Sequence, residues 1–342
     1  MILRGIKLAA ATGAALGTMG AVASAASGPP PPPTSTNGQT VQMVASGLGT
    51  PTAFAFGGGN VFESDGGAQD PTTGKTTAPG GVFLLKDGKA TRLAGSPGFS
   101  PGLVWHKGTL YVSAILGPKG PAVLEAWSGW NGTKFATQKT IYRGPKGFMG
   151  FAGLAFAKGR IWGGAFLASG DHGPAKAPYQ YDYLSIKPNG KGLKVVARGI
   201  RQPWQSVFAK GHLYVSDLGQ DKGAKNPLDA VLRIKQGDNY GFPKCYFNNA
   251  KTKACKGMSK PFQTFPPHTD VMGLGVAGKT LYMSEFLGNQ GKSGLVQFIP
   301  LKGGKPRTLL TGFVAPVVGL GVSGGYVYVG ELTGQAFRVK VS

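Results

Sequence analysis

Reactive and acidic side chains are scarce in this chain. Its 342 residues include two cysteines, four histidines and 14 aspartates and glutamates. We find no serine nucleophile elbow, no His-Glu-x-x-His pair, no P-loop and no glycine-rich dinucleotide fingerprint. The sequence therefore lacks the local motifs that mark the common serine hydrolases, zinc proteases, P-loop nucleotide hydrolases and nicotinamide-dependent oxidoreductases.

The scarcity of acid leaves a strongly basic chain. Lysine and arginine number 37, which gives a formal net charge of +23 at pH 7. Charge of this size is typical of proteins that bind nucleic acid or an anionic surface. The lysines are scattered singly through turns, and no nucleic-acid motif is present. We interpret the charge as the adaptation of an exported protein to an acidic medium or an anionic cell envelope, and we expect no nucleic-acid partner.

The first residues have the pattern of a secretory signal peptide. Arg4 and Lys7 precede an Ala/Gly/Leu-rich stretch, and Ala23-Ser24-Ala25 forms a small-x-small cleavage site. We predict a signal peptide over residues 1–25, a proline-rich and polar linker over residues 26–39, and one domain over residues 40–342. An uncleaved anchor is the alternative, but the stretch is short and glycine-rich for a membrane span. The expected location is secreted, either extracellular or periplasmic, with no transmembrane segment.

The two cysteines, Cys245 and Cys255, lie ten residues apart in one loop. In an exported protein such a pair favours a disulfide, whereas a metal site needs further Cys or His neighbours, and the sequence nearby has none. We predict a disulfide that fixes a long loop over one face of the domain.

A glycine-punctuated pair of strands occurs six times in the sequence. Aligned on their second strands, successive copies are 49, 51, 52, 68 and 46 residues apart. A period near 50 residues built from short strands is typical of a β-propeller in which each repeat is one four-stranded blade. The sequence predicts an all-β, six-bladed propeller. The six copies are Pro51–Asp65, Pro101–Ala114, Phe151–Ala165, Pro203–Asp217, Val271–Glu285 and Pro316–Glu331.

The last copy is followed by residues for only one more strand, Gly334–Ser342. A segment of strand character, Thr40–Gly49, precedes the first copy. We predict that this N-terminal strand completes the C-terminal blade and closes the ring, because an unpaired sheet edge would invite aggregation.

Four acidic residues recur at one position of the repeat, the end of its second strand: Asp65, Asp217, Glu285 and Glu331. A hairpin brings this position to the same edge as the start of its first strand, so these carboxylates should lie around the channel mouth. They could form a ring of oxygen ligands for a hard cation such as Ca²⁺. Alternatively, each acid could accept backbone N–H bonds within its own blade.

The fourth copy opens with Arg201, Gln202, Trp204 and Gln205. A guanidinium group beside amides and an indole suits a flat, anionic ligand, which it would bind by paired hydrogen bonds and stacking. The alternative is a salt bridge from Arg201 to an acid at the mouth, such as Asp217.

Only one histidine stands directly before an inner strand and so approaches the mouth. This residue, His268, is our candidate for an acid/base or ligand contact. By contrast, His106 and His212 fall in predicted hairpin turns.

Three segments together resemble the glucose/sorbosone dehydrogenase family, six-bladed propellers that use pyrroloquinoline quinone (PQQ). Leu184–Asp221 resembles the family stretch with a Pro-Asp-Gly turn and a Gly-Leu-Arg-Asn-Pro motif. Leu228–Phe247 resembles the family's Gly-Gly-x-Tyr-Gly-Trp-Pro segment, and Thr264–Val276 resembles its His-x-x-Pro-x-Gly-Leu entry to the next blade. The resemblance implies oxidation of a sugar or aldose with PQQ and Ca²⁺. Arg201 would contact the quinone, and the segment around Gly219 would bind the metal.

The sequence departs from the family at functional positions. Gln202 replaces the family's Asn, and Leu218-Gly219-Gln220 replaces a His-Gly-Pro segment whose carbonyls help to hold Ca²⁺. The stretch Gly147–Phe156 has no histidine where the family has its catalytic base, which leaves His268 as the evident substitute. Two other functions therefore stay open. One is a metal-dependent, gluconolactonase-like hydrolase, and the other is a non-catalytic propeller that binds carbohydrate or an envelope polymer.

Overall fold

The computed structural model describes residues 30–69, 75–116, 120–167, 177–220, 227–247, 253–289 and 291–341. The predicted signal peptide lies outside these residues. The described chain is built from strands, with a 3-10 turn at Lys253–Cys255. In chain order the strands are β1 Thr34–Ser35, β2 Val41–Ser46, β3 Pro51–Gly57, β4 Asn60–Asp65, β5 Ala68–Gln69, β6 Thr76–Ala78, β7 Gly81–Lys86, β8 Gly88–Arg92, β9 Gly102–His106, β10 Thr109–Ile115, β11 Ala122–Trp130, β12 Phe135–Arg143, β13 Phe151–Ala157, β14 Arg160–Ala165, β15 Tyr183–Ile186, β16 Lys194–Ala197, β17 Pro203–Ala209, β18 His212–Asp217, β19 Asp229–Ile234, β20 Gln263–Phe265, β21 Val271–Ala277, β22 Thr280–Asn289, β23 Ser293–Pro300, β24 Arg307–Thr311, β25 Val317–Ser323, β26 Tyr326–Glu331 and β27 Gln335–Lys340.

The strands of the described residues group into antiparallel meanders of four, as the repeat predicts. Each predicted hairpin supplies the first two strands of one meander. The meanders, numbered one to six, are β3-β4-β7-β8, β9-β10-β11-β12, β13-β14-β15-β16, β17-β18-β19-β20, β21-β22-β23-β24 and β25-β26-β27-β2.

The first strands of the meanders form a closed circuit. Each contacts the first strand of the next meander, and β25 of the sixth contacts β3 of the first. Contacts between neighbours join equivalent positions near the strand starts, so all six starts lie at one end of the circuit, which we call the mouth end. The connections between first and second strands lie at the opposite end, which we call the turn end. Examples of the joining hydrogen bonds are Gly153 N–H to Pro101 O, Ser216 Oγ to Met272 O and Ser284 Oγ to Val318 O.

The core consists of apolar clusters between successive meanders. Phe62 of β4, for example, packs with Leu110 and Trp127 of the second meander, and all three side chains are fully buried. Similar clusters join each following pair, and Phe54 of β3 packs with Tyr328 of β26 between the first and sixth meanders. Burial of apolar side chains therefore stabilises the contact between neighbouring sheets all around the circuit.

The N-terminal strand closes the ring as predicted. β2 pairs antiparallel with β27, with Val41 opposite Val339 and Met43 opposite Phe337. Beyond the prediction, the end of β2 also forms a short parallel ladder with β8, so that the first and sixth meanders share one eight-stranded sheet. This pairing covers an edge that would otherwise expose backbone donors and acceptors.

Part of the predicted linker belongs to the fold. Thr34 and Ser35 form β1, which pairs with the outer edge of β24, and the Thr36 N–H donates to Leu309 O at 2.9 Å. The preceding prolines keep the chain extended, and an edge strand with free carbonyl groups accepts such a segment. Residues 34–36 of the predicted linker therefore extend the fifth sheet by one strand.

Candidate functional site

The repeated acids lie at the mouth end, where the hairpin argument predicts them. Asp65 pairs with Pro51, Asp217 with Pro203 and Glu285 with Val271 across their hairpins. Glu331 has the same position in the sixth meander. All four side chains are buried, so their partners decide what each of them can do.

Two of these acids hold local backbone. Asp65 accepts N–H bonds from Gly49 at 2.8 Å and Thr50 at 2.9 Å, in the segment that leads into its own meander. Glu331 accepts the hydroxyl of Thr333 at 2.6 Å. Burial raises the pKa of Glu331, although the Thr333 hydroxyl and backbone N–H groups of the segment before β25 oppose this shift. Asp65 and Glu331 therefore fit the alternative interpretation, in which each acid accepts hydrogen bonds from its own blade.

The other two acids belong to a group of three carboxyls. Asp217 accepts the N–H of Gln202 at 2.8 Å. Asp229, at the start of β19, accepts the N–H groups of Gly219 at 2.6 Å and Asp270 at 2.9 Å. Burial raises the pKa of Asp217 to about 7, although the N–H of Gln202 and the charge of Arg201 favour ionisation. Burial, and secondly the charge of Asp229, raises the pKa of Glu285 to about 8. Glu285 therefore holds a proton at neutral pH, and Asp217 exchanges its proton near pH 7.

The predicted ring of metal ligands does not form among the described residues. No group of three or more His, Cys, Asp or Glu side chains in that part of the chain is arranged to hold a metal ion. The predicted ligands Asp65, Asp217, Glu285 and Glu331 sit in different meanders, and at least three of them are already engaged by N–H or hydroxyl donors.

Arg201 occupies the carbonyl groups that the resemblance assigned to calcium. Its Nη1 atom donates to Leu218 O at 3.1 Å and also to Gly219 O. A guanidinium group on the Gly219 carbonyl repels any cation placed there. Only 8% of Arg201 is exposed, so this side chain fastens the start of β17 to the end of β18.

Arg201, Asp217 and Gly219 form the polar floor of a narrow cleft, whose enclosed space of about 20 Å³ has room for about one water molecule. Aromatic side chains of the insertion after β19 form its wall. Phe242 and Tyr246 meet edge to face, with ring centroids 5.8 Å apart. The lining consists of Gly199, Arg201, Asp217, Leu218, Gly219, Pro227, Leu228, Tyr240, Phe242, Cys245, Tyr246 and Phe247.

The disulfide between Cys245 and Cys255 is confirmed, with an S–S distance of 2.01 Å. Its insertion joins the third and fourth strands of one meander, β19 and β20, and does not join two blades. From the turn end it runs beside β16, where Tyr240 N–H donates to Arg198 O and Phe242 N–H to Gly199 O. This path brings the aromatic wall to the mouth end.

The remaining residues predicted to bind a cofactor do not line the cleft. Trp204 packs in an apolar cluster with Leu218 and Met272 at the mouth end. Gln202 and Gln205 are buried, and their backbone N–H groups donate to Asp217 and Ser216. Of the predicted quartet, the structure places Arg201 alone in the cleft lining.

His268 is exposed in a turn before β21, with a left-handed φ of 62°. It lies at the mouth end, as predicted, but it does not line the cleft. Its role as the catalytic base stays a prediction.

Sequence reasoning missed two parts of the site. Asp229 starts a third strand, whereas our repeat alignment used only the first two strands of each copy. Phe242 and Tyr246 lie in the insertion, which was recognised for its cysteines and its family resemblance but not for its aromatic side chains. Aligning the third strands would have singled out Asp229, and the aromatic content of the insertion was the signal for the wall of the cleft.

The described fold is that of a β-propeller, and comparison with solved structures agrees. The PQQ-bound aldose sugar dehydrogenase of Streptomyces coelicolor superimposes with a TM-score of 0.68 at 18% identity, over 90% of this chain and 100% of that one. A putative glucose dehydrogenase of Thermus thermophilus gives 0.68 at 19% identity, over 88% and 100%. A gluconolactonase of Xanthomonas campestris gives 0.59 at 14% identity, over 91% and 95%. The fold resemblance inferred from the sequence is thus confirmed for a divergent chain.

No family model and no curated protein matches this sequence. In the described part of the chain, no helix has the length and apolar character needed to cross a membrane.

Proposed function

We propose that this chain is an exported, six-bladed β-propeller that binds a carbohydrate in the cleft beside Arg201. The observation that carries the proposal is the composition of that cleft, an aromatic wall over a small polar floor. Rings such as Phe242 and Tyr246 suit the apolar face of a sugar ring, while Arg201, Asp217 and the backbone provide hydrogen bonds for its hydroxyls. The sugar-directed names of the structural neighbours favour the same ligand class.

Oxidation of the bound sugar with PQQ is the activity that the neighbours favour, and PQQ would supply the acceptor for a hydride. The described residues do not fit PQQ and Ca²⁺. The quinone carries three carboxylates, whereas Arg201 is the only basic residue of the described cleft lining and already donates to two carbonyls. The enclosed space of the cleft, about 20 Å³, has room for about one water molecule. The tricyclic quinone cannot enter it, and a sugar would lie against the aromatic wall and not inside the cleft. We therefore rank carbohydrate binding above quinone-dependent oxidation.

Two alternatives remain as proposals. A lactonase would need a divalent ion to polarise the lactone carbonyl, and the raised pKa values of Asp217 and Glu285 disfavour that ion at neutral pH. A non-catalytic propeller at an anionic envelope surface is favoured by the net charge of +23 and by the engaged state of Arg201.

Binding is tested by calorimetric titration of the purified protein with neutral mono- and oligosaccharides. Tyr246→Ala should abolish binding, whereas Tyr326→Ala, which removes an equally half-buried tyrosine at the turn end, should leave it unchanged. If both variants still bind the sugar, the cleft is not the binding site.

Activity is tested in parallel on the same protein. Dye reduction with aldoses is measured after addition of PQQ and Ca²⁺, and lactone hydrolysis is measured with added divalent ions. Saturable sugar binding without either activity would support a binding protein. PQQ-dependent dye reduction would support a sugar dehydrogenase instead.

A further inference from the structure

The turn end of the ring carries its own pattern, independent of the cleft at the mouth end. Lys107, Lys158 and Lys210 occupy the same position of three consecutive hairpins, the first residue of a two-residue turn. Lys279 lies in the corresponding turn of the next meander. All four side chains are exposed, so they form an arc of positive charge around the turn end of the central channel.

Three of these lysines adopt a backbone conformation that their residue type disfavours. Lys107, Lys158 and Lys210 have φ values of 44°, 51° and 48°, and each is followed by a glycine that also has positive φ. Such turns favour Asn, Asp or Gly at the first position. Gly58, Gly278 and Gly324 fill that position in the first, fifth and sixth meanders, with φ values of 57°, 58° and 58°. Local turn energetics therefore do not account for lysine at the other three.

The outer turns of the same end add further lysines. Connections between third and fourth strands also lie there, and Lys187, Lys191, Lys302 and Lys305 are exposed in two of them. The acids, in contrast, concentrate at the mouth end, where Asp217 and Glu285 are buried. Asp87 and Asp238 also lie in turn-end connections, but lysines outnumber them there, so the turn end carries a net positive charge.

The turn lysines lack charge partners in the described part of the chain. None of Lys107, Lys158, Lys210 and Lys279 forms an ion pair there, and the ion pair that the structure does show, Arg198 with Asp182, lies at the mouth end. Like charges held side by side repel one another. An external anion would relieve this repulsion.

We propose that the turn end binds a linear anionic glycopolymer, with Lys107, Lys158 and Lys210 as its central contacts. Lysines act as point charges on flexible stems, which suits repeated phosphate or carboxylate groups without a fixed geometry. None of the large apolar side chains that are exposed in the described residues lies in these turns, so the surface has no anchor for insertion into a lipid bilayer. The disulfide and the predicted signal peptide favour an envelope glycopolymer over nucleic acid. This proposal deepens the envelope-binding alternative above and does not depend on the ligand of the cleft.

The test uses the triple variant Lys107→Gly, Lys158→Gly, Lys210→Gly. Glycine is the residue of the equivalent turns, so the variant should fold and its thermal midpoint should stay equal or rise. Binding to polygalacturonate and to a poly(glycerol phosphate) glycopolymer is measured over a series of salt concentrations. We expect the affinity at 0.1 M salt to fall about ten- to hundredfold and the salt slope to decrease by about three.

A matched control removes three exposed lysines from the mouth end, Lys146→Asn, Lys244→Asn and Lys256→Asn. It changes the net charge equally and should retain the wild-type affinity and slope. The two polymers show whether carboxylate or phosphate groups are preferred.

Equal losses of affinity in the two triple variants would overturn the proposal, since they would indicate a net-charge effect. Tighter binding of double-stranded DNA or of anionic lipid vesicles at the same salt would overturn the choice of partner. Sugar binding in the cleft should be unaffected in the turn-end variant.

Discussion

The buried carboxyls at the mouth end make the stability of the fold dependent on pH, and Glu285 allows the clearest test. Its side chain is 2% exposed, and no described residue donates a hydrogen bond to its Oε1 atom. Its pKa of about 8 in the folded protein compares with 4.5 for the ordinary group. The folded state therefore binds a proton that the unfolded chain releases, so stability is greatest below about pH 4.5 and decreases as the pH rises towards 8.

The magnitude follows from the two pKa values. Between pH 5 and pH 7 the unfolded chain ionises Glu285 while the folded protein keeps it protonated, which lowers the free energy of unfolding by about 2.5 kcal/mol. Glutamine has almost the same shape and cannot ionise. Glu285→Gln should therefore remove about 2.5 kcal/mol of the stability change between these pH values. The change that Asp217 causes, which has the same sign because its pKa is also raised, should remain.

The assay is urea denaturation of wild type and Glu285→Gln at pH 5, 6 and 7. We compare the change in the free energy of unfolding between pH 5 and pH 7 in the two proteins. The absolute stability of the variant is not compared, because it also depends on how well the buried amide fits. Protonation of exposed groups at low pH adds to the net charge in both proteins, so it cancels in the comparison. Asp87→Asn removes an exposed carboxylate from a turn and serves as the control. Equal pH dependence of wild type and Glu285→Gln would refute the argument.

Three further predictions concern contacts that the structure resolves. Arg201→Ala should lower the free energy of unfolding by about 2–3 kcal/mol, because it removes buried charged hydrogen bonds, and Lys210→Ala by less than about 0.5 kcal/mol; similar urea midpoints for the two variants would contradict this. Replacing Cys245 and Cys255 by serine should lower the free energy of unfolding by about 2–3 kcal/mol. Amide hydrogen exchange should accelerate in the insertion and stay unchanged in the strands. A uniform acceleration would indicate that the disulfide stabilises the whole fold. Ser284→Ala breaks a hydroxyl bridge between two meanders and should cost about 1–2 kcal/mol in thermal unfolding, and a neutral result would show that the bridge is dispensable.

The sequence predicts the repeated parts of the fold well. The hairpins are defined by a pattern that occurs six times, and the pairing of β2 with β27 follows from counting strands in the last repeat. The parts that were missed, β1 and the path of the insertion, occur once. Their positions depend on free hydrogen-bonding edges at β24 and β16, and such edges exist only after the sheets have assembled.

The candidate site shows why equal positions in a repeat do not predict equal roles. Asp65 and Asp217 follow the same strand pattern, and both accept backbone N–H groups near the start of their own hairpin. The difference arises from what lies beside each of them. Next to Asp217, the guanidinium group of Arg201 holds the carbonyl of Gly219, and Asp229 enters from the following strand to hold its N–H. The guanidinium group keeps a cation away from Gly219, whereas burial raises the pKa of Asp217 against the charge of Arg201. The chemistry of this position is therefore set by the single-copy residues around the repeated acid.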